Sequence, residues 1–328
     1  MCVAMIMDRR RREMAVTIHQ DLGGFIAAPG FYCMAEDRYH ADPCETPSAS
    51  SSVLKLIDEK TPKHAWAAHP RLNPDKDARE TEALKFGSAA HMAVFEPDRF
   101  SMTYVIKPKN MTFSTTEGKA WRAEVEAAGL LILKEDDAIT IQRMAKELGG
   151  HPEARPLLAN CEPEVSGIWK DEETGLWCRA RFDKLPLRPG KFIPDLKTMA
   201  DLSTIERDAW KYRWHMQAAF YLDGYRAITG EDAPGFVMVA QEKSAPFCVA
   251  VRPWDAHAIE WGRAQIRRAL RTLAGCLESG DWPGPPMETL HLPHYAEKDL
   301  ESRFERGDFP DAWRAPKADA STHEDYRI

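Results

Sequence analysis

Glu164, Asp183 and the run Asp195-Leu196-Lys197 have the residue types of a centre that holds a metal ion beside a phosphate. Asp195 and Lys197 are two residues apart. A strand alternates its faces with a period of two, so both side chains share one face and Leu196 takes the other. A carboxylate and an ammonium fixed side by side on a strand suit metal-assisted attack of water on a phosphodiester. The carboxylate holds a hard cation through oxygen, and the lysine stabilises developing negative charge or orients the water. Asp-x-Lys alone is a common pattern, so the argument rests on what surrounds it.

Asp183 shares a strand face with Arg179 and Arg181, while Ala180, Phe182 and Lys184 share the other. It is a second ligand if its strand lies beside that of Asp195, and half of an Asp–Arg surface pair otherwise. Glu164 opens Glu-Val-Ser-Gly-Ile-Trp and offers a third carboxylate; Glu162 is its equal by composition, and either suits a strand-end surface position. His91, in Gly87-Ser-Ala-Ala-His91, reads as a core histidine unless its helix packs beside the carboxylates. Gln217 and Tyr221 stand at i and i+4, presenting an amide and a phenol on one helix face, for a phosphate or a catalytic side chain or simply as helix surface. Arg263, Arg267 and Arg271 recur every four residues, as a phosphate-contacting ridge or a solvated face. Lys107, Lys109, Lys119 and Arg122 form a looser basic cluster.

These residues need a scaffold, and the sequence supplies its outline. The serines at 48–52 can cap a helix over Val53–Ile57, and Pro62 can open another, with Pro70 and Pro74 marking a loop. A helical pattern covers 79–95, with Leu84, Ala89 or Ala90, His91 and Val94-Phe95 on related faces, and Pro97 ends it. Ser114-x-x-Glu117 has the form of a capping box before a helix to about Gly129. Leu130–Leu133 reads as a strand and Ala138–Leu148 as a helix. Residues 164–170, 176–185 and 191–198 read as a three-strand meander whose first turn is Asp171–Gly175. Helices over 204–212 and 214–228, a hairpin of 236–241 with 246–251, and a long helix over 255–277 follow. The class is mixed α/β, a central mixed sheet flanked by helices. Residues 1–46 read as an irregular lead-in, 47–282 as the catalytic domain, and 283–328 as a tail rich in proline and charge.

Composition bounds the reading. The 328-residue chain is 44% hydrophobic and 29% charged, an ordinary globular balance. Its net charge of −7 excludes coating of nucleic acid by bulk positive charge but not binding in a local groove. Seven scattered cysteines contain no Cys-x-x-Cys pair, which argues against a zinc site or disulfide framework and fits a reducing cytoplasm. No apolar run is long enough to cross a bilayer. Met1–Met14 places an apolar start before Arg9–Arg12, the reverse of a secretory signal, and Met5, Met7 and Met14 are alternative starts.

Read in order, Gly87-Ser-Ala-Ala-His91-x-x-x-Phe95-Glu-Pro97, Glu164, Asp183, Asp195-Leu-Lys-Thr198 and Gln217-Ala-Ala-Phe-Tyr-Leu-Asp223 resemble the PD-(D/E)xK nucleases of the RecB-like branch. Within it the chain is most similar to the RecE-like exonucleases (exodeoxyribonuclease VIII type) of phages and prophages, over about residues 48–275. The serines at 48–52, Lys55-Leu56, Pro62 and Glu117-Gly-Lys-Ala-Trp121 add to the likeness. The resemblance implies a restriction-endonuclease-like core and 5′→3′ digestion of linear double-stranded DNA with Mg²⁺, Mn²⁺ being a substitute. It also implies 3′ tails passed to a single-strand annealing recombinase, a homo-oligomer, and the cytoplasm of a bacterial host. By position it implies His91, Asp183 and Asp195 as metal ligands and Lys197 as the catalytic lysine. Glu164 becomes the acidic residue of the first motif, with Gln217 and Tyr221 behind the site. Pro194 departs from the pattern: it cannot donate a ladder hydrogen bond and implies an edge or a bulge. The alternatives are a non-catalytic DNA-end-binding accessory protein and an endonuclease of the same superfamily. An iron–sulfur nuclease would need a cysteine cluster near the C-terminus, where only Cys276 stands.

Overall fold

A computed structural model of the chain describes residues 16–73 and 82–309, with the helical backbone alone at 82–84. The Arg9–Arg12 run, Pro74, the expected helix start at Arg79, the Leu84 side chain and the chain beyond 309 lie outside the described residues. The elements in order are β1 (Ile18–Gln20), β2 (Gly30–Cys33), α1 (Glu36–His40), β3 (Ala49–Ser50), α2 (Ser51–Glu59), α3 (Pro62–Ala68), α4 (Glu82–Phe95) and α5 (Pro97–Thr103). Then come β4 (Tyr104–Ile106), α6 (Thr116–Ala127), β5 (Leu131–Leu133), α7 (Glu135–Gly150), α8 (Ala154–Leu158), β6 (Cys161–Lys170), β7 (Trp177–Pro186) and β8 (Ile193–Met199). A 3-10 turn at Leu202–Thr204 leads to α9 (Ile205–Lys211), α10 (Trp214–Thr229), β9 (Phe236–Glu242), β10 (Val249–Pro253), α11 (Ala256–Ser279) and α12 (His294–Glu305).

The fold is mixed α/β, as expected. Residues to Gly284 form one compact unit, and a second unit begins at Pro285 and contains α12. α12 lies in the segment read from the sequence as a tail: its few apolar residues, Ala296, Leu300 and Phe304 among them, stand in a run dominated by charge.

The strands form a five-stranded sheet, β1-β2-β6-β7-β3, a three-stranded sheet, β10-β9-β8, and the parallel pair β4-β5. The lead-in is therefore not merely loop: β2 pairs antiparallel with β6, and β1 parallel with β2. Both strands are too short for an alternation to show. The main core packs α2, α10 and α11 against the face of β6 and β7 that carries Trp169, Ala180 and Phe182. Each fully buried side chain of the size of Phe182 or Leu54 contributes about 1.5–3 kcal/mol. Ser50 caps α2 by accepting from Val53 N, and Asp255 caps α11 by accepting from Ala258 N. The cap of α6 is Thr115, not Ser114. Its hydroxyl accepts from Gly118 N, and a Cβ at Gly118 would collide with the Thr112 carbonyl, so the expected box with Glu117 does not form.

The expected meander is only half present. β6 and β7 form the antiparallel hairpin, but β8 leaves it and pairs parallel with β9. β8 is the edge strand of its own sheet, and Pro194 shows why. The N–H of Ile193 points to Gly235 O beside β9, and the N–H of Leu196 points the other way, to β7. With a period of two, Pro194 presents its missing donor on that same β7 side, where no ladder can continue. The two sheets split there.

Candidate metal centre

The split places a side chain where a ladder would otherwise run. Asp183 on β7 accepts a hydrogen bond from Leu196 N at 2.8 Å, so its carboxylate bridges the two sheets. Opposite it in the β6–β7 register stands Glu164, at the one interior step of that ladder with no pairing. Its φ of 53° is left-handed, a conformation a non-glycine residue holds only where its surroundings enforce it. The left-handed residue coincides with the break in the ladder, and its side chain is held by Arg181, whose Nε donates to Glu164 Oε2 at 2.8 Å. Burial and then the Asp183 charge push the Glu164 carboxyl above its usual range.

α4 packs against β7 and brings His91 to the same point, with Nδ1 3.7 Å from Asp183 Oδ2 and the ring edge-on to Phe95. One ligand atom each from His91, Glu164 and Asp183 lie within 4.8 Å of one another, the one such group among the described residues. Two carboxylate oxygens and an imidazole nitrogen suit a hard or borderline divalent cation such as Mg²⁺ or Mn²⁺. The condition set for His91, a helix beside the carboxylates, is met, and Glu164 rather than the exposed Glu162 faces the cluster.

Asp195 and Lys197 share a face of β8, as the strand period requires. Asp195 is 3% exposed, and both of its oxygens are engaged: Oδ2 by the Lys197 ammonium and Oδ1 by Gln217 Nε2 at 2.9 Å. It is close enough to Asp183 and His91 to feel both charges, yet it is not one of the three converging groups. Glu164 stands in that trio where the resemblance puts Asp195. Burial pushes the Asp195 carboxyl up. Burial works against the charge on Lys197, but Asp195 and Asp183 outweigh it and hold its pKa above the usual lysine value.

Gln217 and Tyr221 descend α10 behind the site. The Gln217 amide is oriented by its partners, since Nε2 donates to Asp195 while Oε1 accepts from Lys55 Nζ at 3.3 Å. Tyr221 packs its ring on Phe182, 5.0 Å between centroids, and burial drives its phenol well above the usual range. Lys55, on α2, entered the sequence reading only through the resemblance and was not assigned to the site. Burial, and then repulsion from Lys197, lower its pKa to about 7. The available signal was a lone cation inside the apolar run Val53-Leu54-Lys55-Leu56-Ile57. A cavity of about 500 Å³ opens over the site, lined by His91, Glu164, Asp183, Lys197 and Tyr221, with Arg99 and Lys243 contributing cations.

The arginine ridge on α11 does not face this cavity as a free basic surface. Arg263 pairs with Asp223, Arg267 with Asp171 and Glu173, and Arg271 with Glu173. No described helix is long and apolar enough to cross a membrane.

The fold is similar to that of a crystal structure from Eubacterium rectale whose protein is described as a "putative exonuclease". The two share 15% identity and a TM-score of 0.56 over 82% of this chain and 98% of the other. No curated protein matches the chain by sequence. A family model described as "PDDEXK-like domain of unknown function (DUF3799)" matches residues 50–289, which spans every element that builds the site. The chain belongs to that family, and its split sheet with an Asp-x-Lys edge strand is a PD-(D/E)xK fold.

Proposed function

We propose that this protein is a Mg²⁺-dependent exodeoxyribonuclease, with Mn²⁺ as a substitute, that digests linear double-stranded DNA 5′→3′. The 3′ tails so exposed would pass to a single-strand annealing recombinase, in the manner of the RecE-like enzymes of phages. The observation that carries the reading is the convergence of His91, Glu164 and Asp183 beside the Asp195–Lys197 pair.

His91, Glu164 and Asp183 would hold the cation, with Asp195 near enough to take part through the face it shares with Lys197. A divalent cation bound there supplies a Lewis acid for the phosphate and lowers the pKa of water. The other roles fall to the chain itself. Lys197, kept charged by its carboxylate neighbours, offers an ammonium to the negative charge that builds on the phosphate. Gln217 fixes the Asp195 carboxylate, and so the orientation of Lys197. Tyr221 and Phe182 wall the site from behind and limit water. Arg181 holds the Glu164 carboxylate in place.

End-labelled linear duplex and a covalently closed circle, incubated with Mg²⁺, test the reading. The expected result is loss of 5′ label from the linear DNA alone, reduced by about 10²–10³-fold in Lys197→Ala, the usual cost of removing one transition-state stabiliser. Cutting of the circle would favour an endonuclease. Binding of DNA ends with no degradation in Mg²⁺ or Mn²⁺ would favour the accessory-protein alternative.

A further inference from the structure

A second cavity, of about 460 Å³, lies outside the metal centre. Three tryptophans line it: Trp210 on α9, Trp254 just before α11, and Trp261 on α11. Trp210 and Trp261 are 59% and 60% exposed, an unfavourable position for large apolar rings unless something covers them. Both indoles are nevertheless held in place. The Arg213 guanidinium lies 4.0 Å from the Trp210 ring centre, and Trp261 Nε1 donates to His257 Nε2 at 3.0 Å. Rings fixed before binding lose little conformational entropy on contact with a ligand.

The surroundings point to the ligand. Met238 forms part of the apolar lining, while Glu206 offers acceptors suited to amino groups. Arg252 reaches the same cavity, and its guanidinium pairs with no carboxylate among the described residues. Flat apolar walls, an acceptor and an unpaired guanidinium together match a nucleotide: base, amino edge and phosphate. The cavity also adjoins the metal centre. Met238 is the register partner of Asp195 in the parallel β8–β9 ladder, so the two share a sheet face. His215, another lining residue, lies two positions before Gln217, so the first turn of α10 is the wall between cavity and site.

We propose that this aromatic cleft is a single-strand binding site, taking an unstacked nucleobase of a DNA strand bound beside the metal centre. The inference rests on the nucleic-acid reading of the neighbouring site. It accounts for two tryptophans that remain more than half exposed although their rings are fixed, and for a guanidinium that meets no carboxylate among the described residues.

The test is fluorescence anisotropy with a labelled 12-nucleotide single-stranded DNA and a matching abasic strand, both in EDTA. The proteins are wild type, Trp210→Ala/Trp261→Ala and Trp210→Phe/Trp261→Phe. The alanine variant is expected to bind the base-bearing strand about 5- to 100-fold more weakly, as removal of a stacking contact does, and the abasic strand unchanged. The phenylalanine variant, which keeps a ring at each position, is expected to recover most of the loss. Equal weakening for both strands, or none for either, would overturn the proposal. So would loss of a wild-type dimer in sedimentation without loss of base-dependent binding, which would make the cleft a contact between copies. Because no metal is present, these outcomes are independent of whether the duplex in the preceding experiment is digested.

Discussion

At the scale of single residues the site is a relay of four polar side chains. Lys55 donates to Gln217, Gln217 donates to Asp195, and Lys197 pairs with the other oxygen of Asp195. Gln217→Leu removes both of its bonds at once and leaves a buried carboxylate one donor short, at a cost of about 1–3 kcal/mol to that group. Metal-dependent DNA cleavage is expected to fall, and an intact thermal transition would show that the loss is local. Lys55 makes a pH-dependent prediction. Burial and Lys197 lower its pKa to about 7, so its charge is present below that pH and lost above it. Replacing it with Met should therefore reduce the cleavage rate more at pH 6 than at pH 8, where the wild type has itself lost the charge. A rate ratio that does not change with pH would show that Lys55 acts through packing alone.

At the scale of elements, two features hold the site in shape. The first is a buried network under β7, in which Arg179 pairs with Asp42 at 3.2 Å and donates to Ser48, while His69 bonds the Ser48 carbonyl. Asp42→Ala would leave the Arg179 guanidinium buried without its carboxylate, and a loss of about 3–5 kcal/mol is expected in urea unfolding. Burial lowers the His69 pKa to about 4. Between that value and the 6.5 of a free histidine, the unfolded chain binds a proton that the folded chain does not. Stability contributed by this site is thus full above pH 6.5 and declines as pH falls toward 4. Thermal melts of wild type over that range, against His69→Gln, would reveal it as a difference in slope. The second feature is the close approach of α11 to α10 at Gly262. A Cβ there would lie 2.6 Å from the His215 carbonyl oxygen, which is backbone and cannot swing aside. Gly262→Ala should cost about 1–3 kcal/mol by forcing the helices apart. It should also weaken cleavage, because α10 carries Gln217.

At the scale of the whole molecule, the residues to Gly284 form one compact unit that contains every group assigned to the metal centre. A chain ending at Gly284 is expected to fold cooperatively and to keep metal-dependent cleavage of DNA; failure of either would show that the following unit is required. The net charge of −7 also finds a place in the structure. The α11 arginines are spent on carboxylates within the fold and Arg99 is paired with Glu96, so of the lysines and arginines that line the two cavities, Lys243 at the metal centre and Arg252 at the aromatic cleft are the ones that meet no carboxylate among the described residues and can contact a phosphate. Binding that depends on so few phosphate contacts should fall only moderately with salt, with a slope of log K against log[salt] of about −0.7 per contact for a single strand.

Local pattern was enough to read the class of the fold, most helices and the serine cap of α2, the β6–β7 hairpin and the shared face of Asp195 and Lys197. Each of these follows from a periodicity or a turn signal within a few residues. The candidate residues His91, Glu164, Asp183, Gln217 and Tyr221 were legible as types, but each had a bland alternative that sequence spacing could not remove. Only the tertiary structure shows which of them lie together. It set α4 beside β7, chose Glu164 over Glu162 through the Arg181 contact, and brought Lys55 from α2 to Gln217 across 162 positions of chain. It also broke the meander at Pro194 and gathered Trp210, Trp254 and Trp261 around one cavity. The physical reason is the same in every case. Periodicity records which face of an element a side chain occupies, whereas a site depends on which faces meet, and that is fixed by long-range packing.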